Sequence, residues 1–237
     1  MLTALSDWGK DIYSSFYNAI VPDQRYLAYL QGLKITLLIS FFAIVLGIII
    51  GVLVAVFKVT ATNYKMKWLS SVCNVYINVI RGTPLMVQLL IIYNLIFTSR
   101  NANEILIGSV CFGINSGAYV AEIIRAGIES IDKGQMEAGR SLGMNYIQTM
   151  IKIILPQAVR NILPALGNEF IVLIKETSVA SVIAVTDLTK AAQYIGSRTW
   201  DILPPLIIAA ICYLVIVMGL SKLLSIFERR LSKSDFN

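Results

Sequence analysis

The sequence has 237 residues, of which 57% are hydrophobic and 14% are charged, and its mean hydropathy is +0.72. A soluble domain of this length cannot bury so many apolar side chains, so the composition predicts a membrane protein. The absence of histidine excludes histidine-based catalytic triads and histidine metal sites. The three cysteines have no paired spacing, and the net charge of +6 is not accompanied by a cluster of basic and aromatic residues. We therefore expect no metal site and no nucleic-acid partner.

The first 30 residues lack the basic start and the apolar block of a cleaved signal peptide. We interpret residues 1–30 as an N-terminal arm that lies outside the membrane or at its interface, and residues 31–230 as a single transmembrane domain. Its first apolar segment, residues 35–57, has 23 residues without a charge and is long enough to cross roughly 30 Å of hydrocarbon. Gly47 and Gly51 within it are spaced as GxxxG, which predicts close packing against another helix.

The second apolar segment lies between Lys67 and Arg100, and its only charge is Arg81. Because Pro84 cannot continue a helix, this span is predicted either to bend at residues 81–84 or to begin just after them. Arg81 is correspondingly either a functional charge deep in the membrane or an anchor at the interface, and the proline favours the anchor.

Three further apolar segments cover residues 105–121, 161–174 and 202–221. The segment 161–174 is the weakest of them because it contains Glu169. Five spans in total place the two termini on opposite sides of the membrane. Residues 178–185 are too short to cross, and we interpret them as a re-entrant gate on the outer side.

Lysine and arginine are concentrated in residues 58–67, in residues 125–160 and after residue 221. With five spans, all three regions fall on the same side of the membrane. The positive-inside rule makes that side the cytoplasm. The N-terminus is therefore predicted to lie outside, and residues 231–237 are predicted to form a cytoplasmic tail.

The cytoplasmic loop at residues 134–156 has the signals of a helix, a sharp turn and a second helix. Residues 135–142 favour a helix, Gly143 permits a left-handed stop, Asn145 is a suitable cap, and the second helix is expected to run until Pro156. The residues alone leave two interpretations open. The loop either docks into another protein or rests on the lipid surface as an amphipathic connector.

The same loop contains a recognisable spacing pattern. Its parts are Glu137-Ala138-Gly139, three residues, Gly143, nine residues and Ile153-Ile154-Leu155-Pro156. The pattern resembles the EAA loop of ABC-importer membrane subunits, and Gly139 in place of the second alanine is the only departure in its core. Three more segments resemble motifs of the polar amino acid permeases of the histidine, arginine and glutamine type: RGTPL at 81–85, YVAEIIRAG at 119–127 and KETS at 175–178.

The resemblance implies an all-α polytopic membrane protein with five transmembrane helices and the type I ABC-importer permease (MetI-like) fold. Such a subunit lies in the bacterial cytoplasmic membrane. It pairs with a second copy or a sister chain, with two ATP-binding subunits and with an extracytoplasmic solute-binding protein. The loop at 134–156 would couple the ATPase to the spans, and the coupling residues would be Glu137, Ala138, Gly139, Arg140 and Gly143.

The chain contains no GxxxxGK[ST] phosphate-binding loop. We therefore expect that it is not itself an enzyme and carries no cofactor. ATP and Mg would be bound by the partner ATPase.

A substrate site is predicted around Glu169, because an ionisable group inside a span costs about 2.5–3.5 kcal/mol on insertion scales and usually faces a cavity or a partner. Its carboxylate is a suitable counter-ion for the ammonium group of an amino acid. The alternative is a structural salt bridge with Lys175 or Arg160. Glu122 and Arg125 are predicted to form a separate local ion pair. The candidate substrate-binding residues are Glu169, Asn115, Asn168, Ser116 and Tyr119.

The predicted function is that of the permease subunit in an ATP-driven importer of polar amino acids, with the basic arginine or histidine class preferred. Transport would proceed by alternating access. The alternative is a secondary carrier or a channel that ATP does not drive. It is disfavoured because the sequence shows no duplicated halves and five spans do not divide into two equal sets.

Overall fold

The computed structural model describes residues 2–63, 65–97, 103–183 and 185–233, and within these ranges it contains helices and no strands. The α-helices are α1 Leu2–Ile20, α2 Tyr26–Asn63, α3 Lys67–Gly82, α4 Leu85–Ile96, α5 Glu104–Glu129, α6 Lys133–Ser141, α7 Tyr146–Thr149, α8 Leu155–Glu176, α9 Leu188–Thr199 and α10 Leu203–Lys233. Two 3-10 turns, Pro22–Gln24 and Thr177–Ile183, and one π turn, Met150–Ile154, connect some of them. The all-α class predicted from the sequence is confirmed.

Within the described residues, three segments are long and apolar enough to cross a membrane by themselves: Pro22–Ala61, Glu104–Glu129 and Leu203–Leu231. The bent pair α3–α4 is a fourth candidate span. Helix α8 has 22 residues, which is roughly 33 Å and long enough to cross, but it is more polar than the others. A count of five is compatible with α8 as the fifth span and stays a prediction.

The second apolar segment bends at residues 81–84, which is the first of its two predicted alternatives. It is a pair of helices between which the chain bends by 118°. Helix α3 ends at Gly82, Thr83 is extended, and Pro84 precedes the first residue of α4. Proline lacks an N–H donor and disfavours helical backbone in the residue before it, so the chain breaks at this position.

Arg81, on the last turn of α3, has an intramolecular partner that the interpretation as a simple interfacial anchor did not include. Its guanidinium lies 3.2 Å from a carboxylate oxygen of Glu122 on α5. Because its side chain is 44% exposed, the charge is also not sealed inside the protein.

Helices α2 and α5 pack with their backbones close together through glycines on both sides. A Cβ on Gly51 would lie 2.5 Å from Val120, and one on Gly113 would lie 2.7 Å from a methyl group of Leu46. Real Cβ atoms do not approach other atoms this closely, so any side chain at these positions would force the helices apart. The packing role predicted for Gly47 and Gly51 is confirmed.

Two further segments are also helical: α1 in the N-terminal arm, and the 3-10 turn Thr177–Ile183. Helix α1 packs against α9 and α10, and the stacked rings of Tyr13 and Tyr17 are exposed on it. The 3-10 turn Thr177–Ile183 buries Ala180 and Ile183 in the core. The placement of residues 1–30 outside the membrane and the role of residues 178–185 as a gate remain predictions.

The α2–α5 contact can be tested with Gly51→Val. The added side chain would overpack the helix crossing, and overpacking costs about 1–3 kcal/mol. We expect a lower melting temperature for the purified protein in detergent. Gly219→Val on α10 is the matched control, because a Cβ there has no atom within 4 Å. Equal melting temperatures for the two variants would contradict the packing described here.

Candidate functional site

The loop at residues 134–156 forms the predicted helix, turn and second helix. Asp132 caps α6 by accepting a hydrogen bond from the backbone N–H of Gly134 at 2.6 Å. Asn145 and Gln148 cap α7 reciprocally, with two hydrogen bonds of 2.9 Å between side chain and backbone. Between them Gly143 has φ +83°, a conformation that side chains with a Cβ avoid.

The predicted end of the second helix at Pro156 is wrong. Helix α7 has only four residues, Tyr146–Thr149, and a π turn leads from it directly into α8. Pro156 lies in the first turn of α8. It does not stop the helix there, because the π turn directly before it already interrupts the regular backbone hydrogen bonding, so the missing N–H of proline is tolerated.

Gly139, the departure from the EAA pattern, is buried against α7. A Cβ at this position would lie 2.5 Å from the methyl group of Thr149 and 2.9 Å from its hydroxyl. The helices α6 and α7 therefore contact each other through Gly139 and Thr149, which we call the fitted pair. An alanine at position 139 would collide with Thr149 as it stands.

The other predicted coupling residues, Glu137, Ala138, Arg140 and Gly143, are exposed. They are accessible to a partner, whereas Gly139 shapes the loop from inside. The sequence analysis missed Leu142, which is 82% exposed at the end of α6. Its position, directly after α6 and directly before the glycine turn, was an available signal.

The substrate-site prediction is centred on Glu169, which lies on α8 and is 9% exposed. The hydroxyl of Ser116 on α5 donates a hydrogen bond of 2.8 Å to its carboxylate. The structure thus brings together two of the predicted residues, which are 53 positions apart. The alternative pairing of Glu169 with Lys175 or Arg160 is not among the ion pairs of the described residues.

The remaining candidate residues have other neighbours. The amide of Asn115 donates to the side-chain oxygen of Gln88 at 2.6 Å, and the guanidinium of Arg81 lies over the ring of Tyr119, 5.6 Å from its centroid. Asn168 is exposed. The five predicted residues therefore lie in one region of α5 and α8 but do not form one continuous set of contacts in this conformation.

A charge network extends toward the C-terminal end of α5. Arg125 pairs with Glu122 at 2.9 Å, as the spacing predicted, and also with Glu129. Glu122 is shared with Arg81 from α3. The link to Arg81 spans 41 positions, and no local pattern in the sequence indicates it.

Two neighbouring cavities lie beside these helices. A groove of about 360 Å³ is lined by α2, α5, α8 and Met150, and its lining is apolar apart from Thr60. A smaller cleft of about 220 Å³ is lined in part by Lys58, Arg125, Glu129 and Tyr146. Glu169 is in the lining of neither, so the candidate substrate residues lie apart from both cavities.

Comparison with known proteins places the chain in a family. Residues 43–233 match the family model described as the binding-protein-dependent transport system inner membrane component. The chain belongs to this family. It is therefore the membrane subunit, or permease, of an ABC importer, and this sets aside the alternative of a carrier or channel that ATP does not drive.

Individual relatives agree with this assignment. The permease is 42% identical over 212 residues to the putative glutamine transport system permease protein GlnP of Rickettsia bellii, a match that covers 87% of this chain and 94% of GlnP. It is 48% identical, with a TM-score of 0.81, to a chain in a crystal structure of an amino acid ABC transporter with histidines, covering 86% of this chain and 94% of that one.

A more distant structure shows the fold. A chain of the inward-facing MetNI methionine ABC transporter is 17% identical to the permease, with a TM-score of 0.71 and coverage of 89% and 99%. The permease therefore has the MetI-like fold of type I importers. A subunit of this family works with an ATP-binding subunit, which hydrolyses ATP, and with a binding protein, and the permease itself is not an ATPase.

The fit between Gly139 and Thr149 predicts the outcome of a double-mutant cycle. Gly139→Ala should loosen the contact between α6 and α7, because the new Cβ overlaps Thr149. Adding Thr149→Ala removes both clashing atoms and should restore the contact. Hydrogen exchange of the amides at residues 134–149 in the purified permease measures this directly. Faster exchange in the double variant than in Gly139→Ala would contradict the fitted pair.

The turn at Gly143 predicts a defect in coupling rather than in folding. Gly143→Val places a β-branched residue at positive φ, where an L-residue costs about 1–2 kcal/mol, although the Cβ would meet no atom within 4 Å. In the complex reconstituted with its ATPase, we expect substrate uptake to fall more than ATP hydrolysis. Gly143→Asn is the control, because asparagine tolerates this conformation. Normal uptake and normal ATPase activity in Gly143→Val would contradict the coupling role.

Proposed function

We propose that the permease imports polar amino acids, with a preference for the basic class represented by arginine and histidine. The observation that supports this most directly is the environment of Glu169. The carboxylate is almost fully buried, and its hydrogen bond comes from the neutral hydroxyl of Ser116. A buried carboxylate without a cationic partner is costly, and the ammonium group of an amino acid would relieve that cost.

The named relatives are consistent with this chemistry. One is described as a glutamine permease, and the crystal structure similar to the permease is that of an amino acid transporter with histidines. Every amino acid carries an α-ammonium group that Glu169 would bind. A basic side chain offers the same carboxylate a second cation as an alternative partner, and this is the basis of the preference for arginine or histidine over glutamine.

The other predicted substrate residues would complete the site from neighbouring positions. Asn115 and Ser116 are consecutive on α5, and Tyr119 lies one turn further along the same helix. Asn168 is adjacent to Glu169 and exposed. We propose that these polar groups contact the substrate when α5 and α8 separate from their positions in this conformation.

The assembly that we propose contains two permease chains, as a homodimer or with a sister chain, together with two ATP-binding subunits that hold ATP and Mg. A solute-binding protein delivers the substrate from outside. This chain would contribute no cofactor. The N-terminus would lie outside and the C-terminus in the cytoplasm, on the side of the exposed residues Glu137 and Arg140 that we assign to the ATPase contact.

The proposed mechanism is alternating access driven through α6. The site opens outward when the ATPases close on ATP and inward after hydrolysis. Three residues separate the end of α5 from the start of α6. The hydroxyl of the first of them, Ser130, also accepts a hydrogen bond from Asn161 on α8 at 2.8 Å. A displacement of α6 would therefore act on the two helices that carry Ser116 and Glu169.

The site is tested by the ATPase activity of the reconstituted complex with binding protein and arginine, lysine, histidine, glutamine or glutamate. We expect the cationic amino acids to stimulate hydrolysis most. In Glu169→Gln the half-stimulating concentration should rise about ten- to a hundredfold, because a hydrogen bond to a charged group contributes about 1.5–3 kcal/mol. Glu228→Gln, at an exposed position on α10, is the control.

The outcomes separate the parts of the proposal. Unchanged stimulation in Glu169→Gln would refute the site and leave the transporter assignment intact. Stronger stimulation by glutamine than by arginine would refute the basic preference. An absence of stimulation by all five amino acids in the wild-type complex would refute amino acid transport.

A further inference from the structure

The break between α3 and α4, within a candidate membrane span, leaves the carbonyls of Ile80 and Thr83 without helical partners. Unsatisfied backbone groups are costly in a membrane, so irregular backbone there needs other partners. Gln88, on the first turn of α4, supplies them. Its Nε2 donates to the carbonyl oxygens of Ile80 at 2.6 Å and Thr83 at 2.9 Å, and it also lies 2.7 Å from the Thr83 hydroxyl.

These contacts fix the orientation of the Gln88 side chain. An amide nitrogen has two hydrogens, and here three acceptors surround it, so the nitrogen is fully engaged on the side of the break. The oxygen must then point the opposite way, toward α5. There it accepts a hydrogen bond of 2.6 Å from Nδ2 of Asn115. Both residues are almost fully buried, at 6% and 3% exposure.

The orientation of Asn115 follows from that of Gln88. Because Gln88 presents an oxygen, Asn115 must present its amide nitrogen, and its carbonyl oxygen is left for another partner. Asn115 is followed directly by Ser116, whose hydroxyl bonds to Glu169. A chain of hydrogen bonds therefore leads from the carbonyls of the break to the residue beside the Ser116–Glu169 pair.

We propose that Gln88 is a positioning residue of the transport site. It fixes the amide of Asn115 with the carbonyl oxygen available to the substrate, and it holds the α3–α4 break against α5. The inference depends on the proposed role of Asn115 in substrate binding. It adds a residue that contacts no substrate itself and acts through Asn115.

Other contacts hold α3 on α5 when Gln88 is changed. The hydroxyl of Tyr76 donates to the carbonyl of Ile114 at 2.6 Å, and Arg81 pairs with Glu122. A substitution of Gln88 therefore removes the link from α4 to Asn115 while α3 keeps its own attachments. We expect such variants to fold and assemble.

The test is a double-mutant cycle of Gln88→Met and Asn115→Ala. Methionine keeps the unbranched shape of glutamine and removes its hydrogen bonds. The assay is uptake of arginine into proteoliposomes that contain the complete complex, with binding protein present. Each single variant should raise KM about tenfold, the upper range for one lost hydrogen bond, with little change in kcat. The double variant should be no worse than either single variant, since both remove the same interaction.

A second variant keeps the test independent of how Gln88→Met folds. Gln88→Glu has the same size, and its carboxylate can accept from Asn115 but cannot donate to the carbonyls of the break. It should raise KM less than Gln88→Met, because the carboxylate still accepts from the amide of Asn115, and combination with Asn115→Ala should again bring no further rise. Asn94→Ala is the control, because Asn94 is an exposed amide on the same helix, and its hydrogen bond among the described residues is a local one, to the carbonyl of Leu90.

Any of three results would overturn the inference. The increases in KM of the two single variants multiply in the double variant, or KM is unchanged in both Gln88 variants. The third result is that both Gln88 variants fail to assemble while Asn115→Ala assembles normally. If these occur while Glu169→Gln still raises KM for arginine, the proposed function stands and only the role of Gln88 falls. A wild-type complex that takes up no amino acid of the panel would refute the proposed function, and the inference with it.

Discussion

The close contact between α2 and α5 is the constraint on which the rest of the permease depends. Lipid is as apolar as the helix surfaces, so the hydrophobic effect does not drive helices together in a membrane, and close packing must do so. The glycines supply that packing. A Cβ on Gly47 would lie 2.9 Å from the hydroxyl of Ser116, so α2 closes one side of Ser116. The hydroxyl is directed toward α8 and reaches Glu169 there.

A second constraint is the pairing of backbone groups where the helices are irregular. The α3–α4 break lets the chain change direction by 118°, but it leaves the carbonyls of Ile80 and Thr83 without helical partners. The amide nitrogen of Gln88 donates to these carbonyls, and its amide oxygen accepts a hydrogen bond from Asn115 on α5. A residue required by the fold of one span thereby determines which atom of Asn115 remains available on another.

Local signals in the sequence predicted the parts of this structure that local physics controls. Gly143 and Asn145 indicated the turn and the cap of the loop at residues 134–156, and the long apolar runs indicated α2 and α10. Pro156 was misinterpreted as a stop because a proline in a first turn and a proline after a last turn look alike in the sequence. Glu169 was identified as a candidate because an acidic residue in an apolar segment is energetically costly and usually faces a cavity or a partner.

The contacts that assemble the candidate site could not be predicted in the same way. Gln88 meets Asn115 across 27 positions, and Ser116 meets Glu169 across 53. Both contacts depend on how three helices cross, and no periodicity specifies a crossing. The fit of Gly139 against Thr149 depends likewise on the angle between α6 and α7. The sequence therefore indicated which residues were unusual, and the packing determined which of them meet.

The choice of a hydroxyl as the partner of Glu169 has a physical consequence for transport. Breaking a buried ion pair costs about 3–5 kcal/mol, whereas a hydrogen bond to a charged group contributes about 1.5–3 kcal/mol. A lysine in place of Ser116 would neutralise the carboxylate permanently and would compete with any cationic substrate. In the proposed site, Ser116 holds the carboxylate against α5 without supplying a competing cation, so an incoming ammonium group would find no cation to displace. The same single bond would form again when the substrate leaves, as the proposed cycle of binding and release requires.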